Sequence, residues 1–311
     1  MPEEILISGK MYARTIETLD ATYKTHKLWE AKDRAGFLAG LAPRIRAAAS
    51  GSGNFDAALM DALPNLKLIA HFGVGYDNVD AKAAEARGIA ITNTPDVLTD
   101  EVADLAMGLT VAAARRMTAA ERFVREGNWL KGPMPFTRRV HGKTMGIVGL
   151  GRIGQAIARR AEGFGMTILY HQRNARTDAS YRYMGDLAAM AAASDFLMLS
   201  CPGGKATEKL VDERVLRALG PEGIVINIAR GSVIDEPVLV RLLREGAVGG
   251  AGLDVFVDEP HVPAELLTMD NVVVQPHHAS ATPETRTAMG QLVIDNLGAF
   301  FAGRKLLTQV A

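Results

Sequence analysis

Three segments of the chain place a polar side chain at or just beyond the end of an apolar run. These side chains are Arg230, Glu259 and His277. Because parallel strands gather their carboxyl ends at one edge of a sheet, we expect the three groups to converge there. A cation, a carboxylate and an imidazole can together bind an acid substrate and exchange a proton with its carbonyl oxygen.

These residue types match the needs of 2-keto acid reduction. Arg230 would hold the carboxylate and the carbonyl, and protonated His277 would deliver the proton as a hydride arrives. Glu259 beside the ring would favour its charged form and fix its tautomer. His278 is the alternative proton donor, because side chains at a strand end alternate in direction and the pattern leaves both histidines open.

A glycine-rich turn precedes this set in the chain. In GIVGLGRIG, Gly149, Gly151 and Gly154 lie directly after a predicted strand and at the start of a predicted helix. Such glycines permit a tight turn, a close approach of pyrophosphate to the backbone, and close packing of the helix on the strand. The amides of Arg152 and Ile153 would then face the phosphates at the positive end of the helix dipole. The segment predicts a dinucleotide site.

The end of the following strand indicates which dinucleotide is bound. It reads YHQRN and lacks the acid that usually accepts from the ribose hydroxyls of NAD. Arg173 can instead bind a 2′-phosphate through two parallel hydrogen bonds. We therefore expect NADP, as NADPH, with NAD the less favoured cofactor; the alternative is that Arg173 is a solvated loop residue.

The elements that position these residues alternate along the chain. Apolar runs typical of buried strands are separated by alanine-rich stretches with helical spacing, and this alternation implies parallel pairing. We expect an α/β fold of two doubly wound parallel-sheet domains. A Rossmann cofactor domain at 98–285 would be inserted into a flavodoxin-like substrate domain at 1–97 plus 286–311. Residues 47–53 are predicted to form a loop, and residues 102–125 one helix.

Composition excludes several classes of partner. The 35 basic residues balance the 35 acidic ones, so no net charge attracts nucleic acid or an anionic membrane. Cys201 is the single cysteine, which excludes an internal disulfide and leaves no cluster for structural zinc, so no metal is expected. The first residues lack a signal-peptide pattern and no apolar run is long enough to span a bilayer, so we predict a cytoplasmic protein.

Taken together, the motifs resemble the D-isomer-specific 2-hydroxyacid dehydrogenase family over essentially the whole chain. The matching stretches are FGVGYDNVD at 72–80, NTPDVLTDEVADLAMGL at 93–109, GIVGLGRIG at 146–154, INIARGSVIDE at 226–236, GLDVFVDEP at 252–260 and PHHAS at 276–280. Within the family, the YHQR strand end is most similar to the NADPH-preferring glyoxylate and hydroxypyruvate reductase branch.

The resemblance implies further roles. Val74 and Gly75 would offer backbone amides to the substrate carboxylate, and His277 rather than His278 would be the catalytic histidine. Asp254 would meet the nicotinamide amide. The other residues assigned to the cofactor site are Thr99 near the cofactor, Cys201 and Pro202 on the adenosine side, and Thr207 and Ala229.

We therefore expect an NADPH-dependent reductase of glyoxylate, hydroxypyruvate or a close 2-keto acid, acting as a homodimer with the helical segment 99–126 as a plausible interface. An alternative substrate is a bulkier aromatic or branched keto acid, with Trp129, Met134 and Phe136 lining an entrance or packing a dimer. A second alternative is a nicotinamide-sensing corepressor that binds other proteins and turns over little substrate.

Overall fold

A computed structural model describes residues 2–311 and divides into two compact units. Unit 1 runs to Leu98 and resumes at Ser280, and unit 2 spans Thr99–Ala279. The junctions follow residues 98 and 279, against predicted positions after 97 and 285. Within the described residues, no helix is both long and apolar enough to cross a membrane.

Unit 1 is built on a five-stranded parallel sheet in the order β2-β1-β3-β4-β5. This is the flavodoxin-like order expected for the substrate domain. Its strands are β1 (Glu4–Ile7), β2 (Lys24–Lys27), β3 (Ala47–Ser50), β4 (Leu68–His71) and β5 (Ala90–Thr92), and its helices are α1 (Ala13–Thr22), α2 (Arg34–Leu41), α3 (Ala57–Asp61), α4 (Ala81–Ala86) and the C-terminal α11 (Pro283–Phe301).

The prediction of a loop over residues 47–53 is wrong, because its first four residues form β3, the central strand of this sheet. All four are buried, and β3 pairs with both β1 and β4. Alanine and serine carry little strand propensity. Small side chains nevertheless suit a strand that is buried along its whole length, and this burial is visible only in the folded chain.

Unit 2 is built on a seven-stranded parallel sheet in the order β8-β7-β6-β9-β10-β11-β12. The order reverses between β6 and β9, the switch point at which Rossmann domains bind their ligands. Its strands are β6 (Thr144–Val148), β7 (Thr167–His171), β8 (Arg182–Tyr183), β9 (Phe196–Leu199), β10 (Ile224–Asn227), β11 (Gly250–Leu253) and β12 (Val272–Val274), and its helices are α5 (Thr99–Ala114), α6 (Met117–Arg125), α7 (Arg152–Gly163), α8 (Leu187–Ala192), α9 (Glu213–Leu219) and α10 (Glu236–Arg244). The predicted fold class is confirmed.

The single helix predicted over residues 102–125 is two helices, α5 and α6. The chain breaks at Arg116, whose φ of 47° is left-handed. The amide of Arg138 donates to the carbonyl of Ala114 at 3.0 Å, so a returning segment takes the carbonyl at the end of α5. A partner 24 residues away in the chain leaves no sign in the local pattern of alanines and charged residues.

Candidate active site

In the glycine turn after β6, the packing of the protein leaves no room for a side chain at two of the three glycines and leaves room at the third. At Gly149, φ is 93° and a Cβ atom would lie 2.7 Å from Cα of Cys201. At Gly154, a Cβ would lie 2.2 Å from the carbonyl oxygen of Gly149. At Gly151, which precedes α7, a Cβ would meet nothing within 4 Å. The open space at Gly151 therefore fits a ligand phosphate at the start of α7.

Three side chains that sequence analysis did not assign to the site hold this turn. The hydroxyl of Ser200 donates to the carbonyl of Gly149 at 2.8 Å. At Leu150, the amide donates to Gln172 Oε1 at 3.3 Å and the carbonyl accepts from Arg176 Nη1 at 3.2 Å. Bonds between a side chain and a distant backbone group leave no periodic signal in the sequence.

The two arginines after β7 differ in their partners. Arg176 is paired with Asp178 through two hydrogen bonds of 2.8 and 2.5 Å. Arg173 is exposed and, among residues 2–311, has no hydrogen-bond or ion-pair partner. The guanidinium of Arg173 is therefore the one of the two that is available to a 2′-phosphate.

Glu259 and His277 are hydrogen-bonded side chain to side chain. The ring Nδ1–H of His277 donates to Glu259 Oε2 at 2.6 Å, and the amide of Phe256 donates to Glu259 Oε1 at 3.1 Å. Both carboxylate oxygens are thus held. With Nδ1 taken, Nε2 is the ring nitrogen that can exchange a proton with a substrate.

Electrostatics keep Glu259 ionised. Burial alone would raise its pKa, but the hydrogen bonds from His277 and Phe256 and the charges of His277 and Arg230 together lower the pKa below its usual range. The charges of Arg230 and His277 both lower the pKa of Glu259. The structure therefore places the three predicted side chains, Arg230, Glu259 and His277, in one electrostatic environment.

Arg230 is positioned by a buried residue that sequence analysis did not single out, Asn227 at the end of β10. Its Oδ1 accepts from the amide of Ala229 at 3.0 Å, and its Nδ2 donates to the carbonyl of Arg230 at 2.9 Å. Arg230 Nη1 in turn donates to the carbonyl of Ala229 at 2.8 Å. This turn fixes the backbone of the residue predicted to bind the substrate.

The loops that carry Arg230 and Glu259 are in backbone contact. A Cβ at Gly231 would lie 2.0 Å from the carbonyl carbon of Phe256 and 2.3 Å from the amide nitrogen of Val257. Only glycine fits this approach, which explains the glycine of the ARG motif. The two loops are therefore fixed relative to each other.

Asp254 anchors the histidine loop. It is 1% exposed, and its two oxygens accept from the amides of His278 at 2.9 Å and Ala279 at 3.1 Å. The His278 ring lies beside the same carboxylate, with Nδ1 3.7 Å from Oδ1. His277 is thus the ring directed to Glu259, and His278 the ring directed to Asp254. The contact of Asp254 with a nicotinamide amide stays a prediction.

Comparison with known proteins identifies the family. The family model described as the NAD binding domain of D-isomer specific 2-hydroxyacid dehydrogenases matches residues 107–279. Hydroxyphenylpyruvate reductase of Plectranthus scutellarioides is 46% identical over 98% of each chain. The chain belongs to the D-isomer specific 2-hydroxyacid dehydrogenase family. It is therefore an oxidoreductase, and the family resemblance read from the motifs is confirmed.

Two further relatives of this dehydrogenase are similar over their full length. Glyoxylate/hydroxypyruvate reductase A of Arabidopsis thaliana is 45% identical over 98% of each chain. The crystal structure of the NADPH-dependent glyoxylate/hydroxypyruvate reductase SmGhrB from Sinorhizobium meliloti, in complex with NADP and malonate, has a TM-score of 0.92 and 45% identity, and the match covers 100% of this chain and 97% of that one.

The loop predicted to bind the substrate carboxylate is held by its carbonyl groups. The carbonyls of Gly73, Val74 and Gly75 accept from the amide of Thr94 at 3.0 Å, Nδ2 of Asn93 at 2.9 Å and Nε2 of His71 at 3.0 Å, respectively. His71, buried at the end of β4, thus fixes the loop. The role of the Val74 and Gly75 amides stays a prediction.

The remaining predicted cofactor residues have these positions in unit 2. Cys201 packs on the glycine turn, and burial raises its pKa to about 11, so it is a neutral thiol. Thr207 Oγ1 donates to the carbonyl of Pro202 at 2.7 Å and closes that loop. Ala229 is buried in the turn before Arg230, and Thr99 begins α5. Their contacts with a cofactor stay predictions.

Proposed function

We propose that this dehydrogenase reduces a small 2-keto acid of the glyoxylate or hydroxypyruvate type to the D-2-hydroxy acid with NADPH. The observation that carries the proposal is the 2.6 Å hydrogen bond between Glu259 and His277, at the carboxyl edge of the sheet and within the field of Arg230. An imidazole held by a carboxylate beside a cation is suited to a substrate that has both an acid group and a carbonyl.

Each of the three residues has a separate role in the proposed reaction. The guanidinium of Arg230 binds the substrate carboxylate and polarises the carbonyl. NADPH, when bound, supplies the hydride. His277 gives the proton on Nε2 to the carbonyl oxygen, becomes neutral and is reprotonated from solvent, while Glu259 keeps the ring oriented through Nδ1. In the oxidative direction, neutral His277 removes the hydroxyl proton.

NADPH is the proposed cofactor for two reasons. The YHQRN segment at the end of β7 contains no acid, and Arg173 is exposed there without a partner in the described chain. The solved relative SmGhrB is NADPH-dependent and was crystallised with NADP. Gly151 leaves open space at the start of α7, where the pyrophosphate would bind.

A second substrate class is an aryl-substituted 2-keto acid. The observation that favours it is the 46% identity to a hydroxyphenylpyruvate reductase, a level that matches the identity to the glyoxylate/hydroxypyruvate reductases. The Arg230, Glu259 and His277 set serves both classes, because the reacting acid and carbonyl groups are the same.

A panel of 2-keto acids assayed with NADPH and with NADH tests the proposal. We expect kcat/KM to be highest for glyoxylate or hydroxypyruvate with NADPH. A higher value for hydroxyphenylpyruvate would establish the second class. Negligible turnover of every acid with both cofactors would contradict the proposal and favour the nicotinamide-sensing alternative.

We also propose that the protein is a homodimer. Five large apolar side chains between residues 117 and 136 are more than half exposed in the single chain, and we call them the 117–136 apolar surface: Met117, Val124, Trp129, Leu130 and Phe136. Exposed apolar side chains concentrated in one short segment suit a protein–protein contact, and a second copy of the chain is the proposed occupant. The cytoplasmic location stays a prediction.

A further inference from the structure

We propose that Glu236 is a positioning residue for the reaction, holding the loop that carries Glu259 through the amide of Val257. Glu236 closes the INIARGSVIDE motif and begins α10, and none of the roles described above uses it. The inference rests on the proposed catalytic roles of Glu259 and His277.

Two successive backbone amides connect Glu236 with the catalytic pair. Val257 N–H donates to Glu236 Oε2 at 3.1 Å, and the preceding amide, Phe256 N–H, donates to Glu259 Oε1 at 3.1 Å. Glu259 Oε2 accepts from His277. A shift of the Phe256–Val257 peptide would therefore move the carboxylate that orients the histidine ring.

The same peptide is in contact with the arginine loop. Gly231 lies so close to Phe256 and Val257 that a Cβ at position 231 would clash with their backbone. Glu236 thus holds a peptide that already rests on the residue after Arg230. Asn227 fixes the Arg230 backbone. Asn227 and Glu236 both line a small cavity of about 10 Å³. The supports of Arg230 and of Glu259 are therefore neighbours.

The surroundings of Glu236 disfavour the ionised form of its carboxyl group. Burial raises its pKa, and the negative charges of Asp258 and Glu259 raise it further, against the lowering effect of the Val257 amide. A buried acid among like charges opposes its own ionisation. Its position at the first turn of α10 offsets part of this cost, because the helix dipole favours a negative charge there.

Steady-state kinetics of Glu236→Ala and Glu236→Gln test the proposal. We expect Glu236→Ala to lower kcat about 10- to 100-fold, because a small displacement of catalytic groups costs this much, while the affinity for NADPH stays within twofold. In Glu236→Gln the amide oxygen can still accept from Val257, so most of the loss should be recovered. Glu245→Ala, which removes a carboxylate that is ion-paired at the far end of α10, is the matched control and should keep full activity.

A double-mutant cycle with Glu259→Ala separates positioning from general destabilisation. If Glu236 acts through Glu259, the Glu236→Ala substitution should have little further effect once Glu259 is gone. Full activity of Glu236→Ala, equal losses in the Ala and Gln variants, or a full multiplicative loss in the double variant would each overturn the inference. His277→Ala, measured alongside, distinguishes the two proposals: if His277→Ala is inactive and Glu236→Ala is fully active, only this inference fails, whereas an active His277→Ala refutes the proposed function.

Discussion

His277 has a backbone conformation that few residues other than glycine adopt. Its φ is 50°, and its amide donates to the carbonyl of Asp254 at 2.8 Å. Left-handed backbone costs about 1 kcal/mol or more at such a residue and persists only where the surroundings impose it. Asp254 imposes it here by also binding the next two amides. The strained conformation directs the ring to Glu259, as the proposed proton transfer requires.

Sequence reasoning identified the residues that would do chemistry better than those that hold them. Arg230, Glu259 and His277 could be selected because their types and their positions after strands match a reaction. Asn227, Gln172 and Glu236 could not, because each acts through a hydrogen bond to a backbone group of another loop. The side-chain type fits many roles, and only the folded loops show which one applies.

Cofactor preference tests the role of Arg173. Replacing Arg173 with Asp should raise the KM for NADPH about 10- to 100-fold, because a charge-assisted bond to the 2′-phosphate is lost and a repulsive charge is introduced. NADH kinetics should change little. Arg159→Asp makes the same charge change at an exposed position of α7 and serves as the control. An unchanged ratio of kcat/KM for NADPH and NADH in the Arg173 variant would refute the phosphate contact.

The turn between β6 and α7 is an element in which glycines have separable roles. Gly149→Ala should lower stability by roughly 1–3 kcal/mol and weaken NADPH binding more than tenfold, because its left-handed φ and its contact with Cys201 exclude a side chain. Gly163→Ala, at the end of the same helix with open space around it, should bind NADPH normally and be no less stable. Denaturant unfolding and fluorescence titration would measure both; equal behaviour of the two variants would contradict the assignment.

At the edge of the unit 1 sheet, the carboxylate of Glu4 binds three basic side chains. Glu4 of β1 accepts from His26 at 2.7 Å, Arg44 at 3.1 Å and Lys24 at 3.4 Å. The bond from His26 is the largest influence and, with those from Arg44 and Lys24, lowers the pKa of Glu4 from 4.5 to about 2 against the opposing effect of burial. The bonds from His26 and Lys24 tie β1 to the edge strand β2, and the bond from Arg44 ties it to the segment after α2.

A Glu4→Gln substitution should show the pH dependence that this pKa implies. Because the folded pKa is the lower one, the stabilisation is fully present above pH 4.5 and is lost as the pH falls toward 2. We expect a loss of roughly 1–2 kcal/mol at neutral pH after allowance for solvent screening, and a difference from the native chain that shrinks steadily below pH 4.5. Urea unfolding at several pH values measures it; a difference that does not change with pH would contradict the ion-pair account.

Among the elements, most strands and helices follow from apolar runs and helical spacing, and the exceptions have identifiable causes. The strand β3 consists of alanines and a serine, so its burial and not its propensity makes it a strand. The polar strand β2 lies at the edge of its sheet, where partial exposure removes the apolar signal. Both segments form strands because of their positions in the sheet, and a local sequence pattern does not show those positions.

For the protein as a whole, the alternation of strands and helices predicts that both sheets are parallel, as they are. Because the two sheets differ in strand order although both units alternate, alternation alone does not determine that order. The residues of a dimer contact are only partly predictable, because the sequence does not show how exposed each apolar side chain of the 117–136 apolar surface is. Trp129 and Phe136 were singled out from the sequence; Leu130, 93% exposed, was not.

Sedimentation velocity tests the proposed homodimer. We expect the native chain to sediment as a dimer at micromolar concentration and the double variant Leu130→Asp, Phe136→Asp to sediment as a monomer, because two charges would have to be buried in the interface. Leu267→Asp, at a leucine that is 57% exposed and lies outside this surface, should remain dimeric. A native chain that is monomeric, or a dimer that both variants leave intact, would contradict the assignment.

The central claim is that His277, oriented by Glu259, transfers the proton during reduction of a 2-keto acid by NADPH. Its most direct test is the turnover of His277→Ala beside that of His278→Ala, with the better of glyoxylate and hydroxypyruvate as substrate. The account predicts that kcat falls about 100- to 10,000-fold for His277→Ala with NADPH affinity nearly unchanged, and far less for His278→Ala. A large loss confined to His278→Ala, or a His277→Ala variant with native turnover, would contradict it.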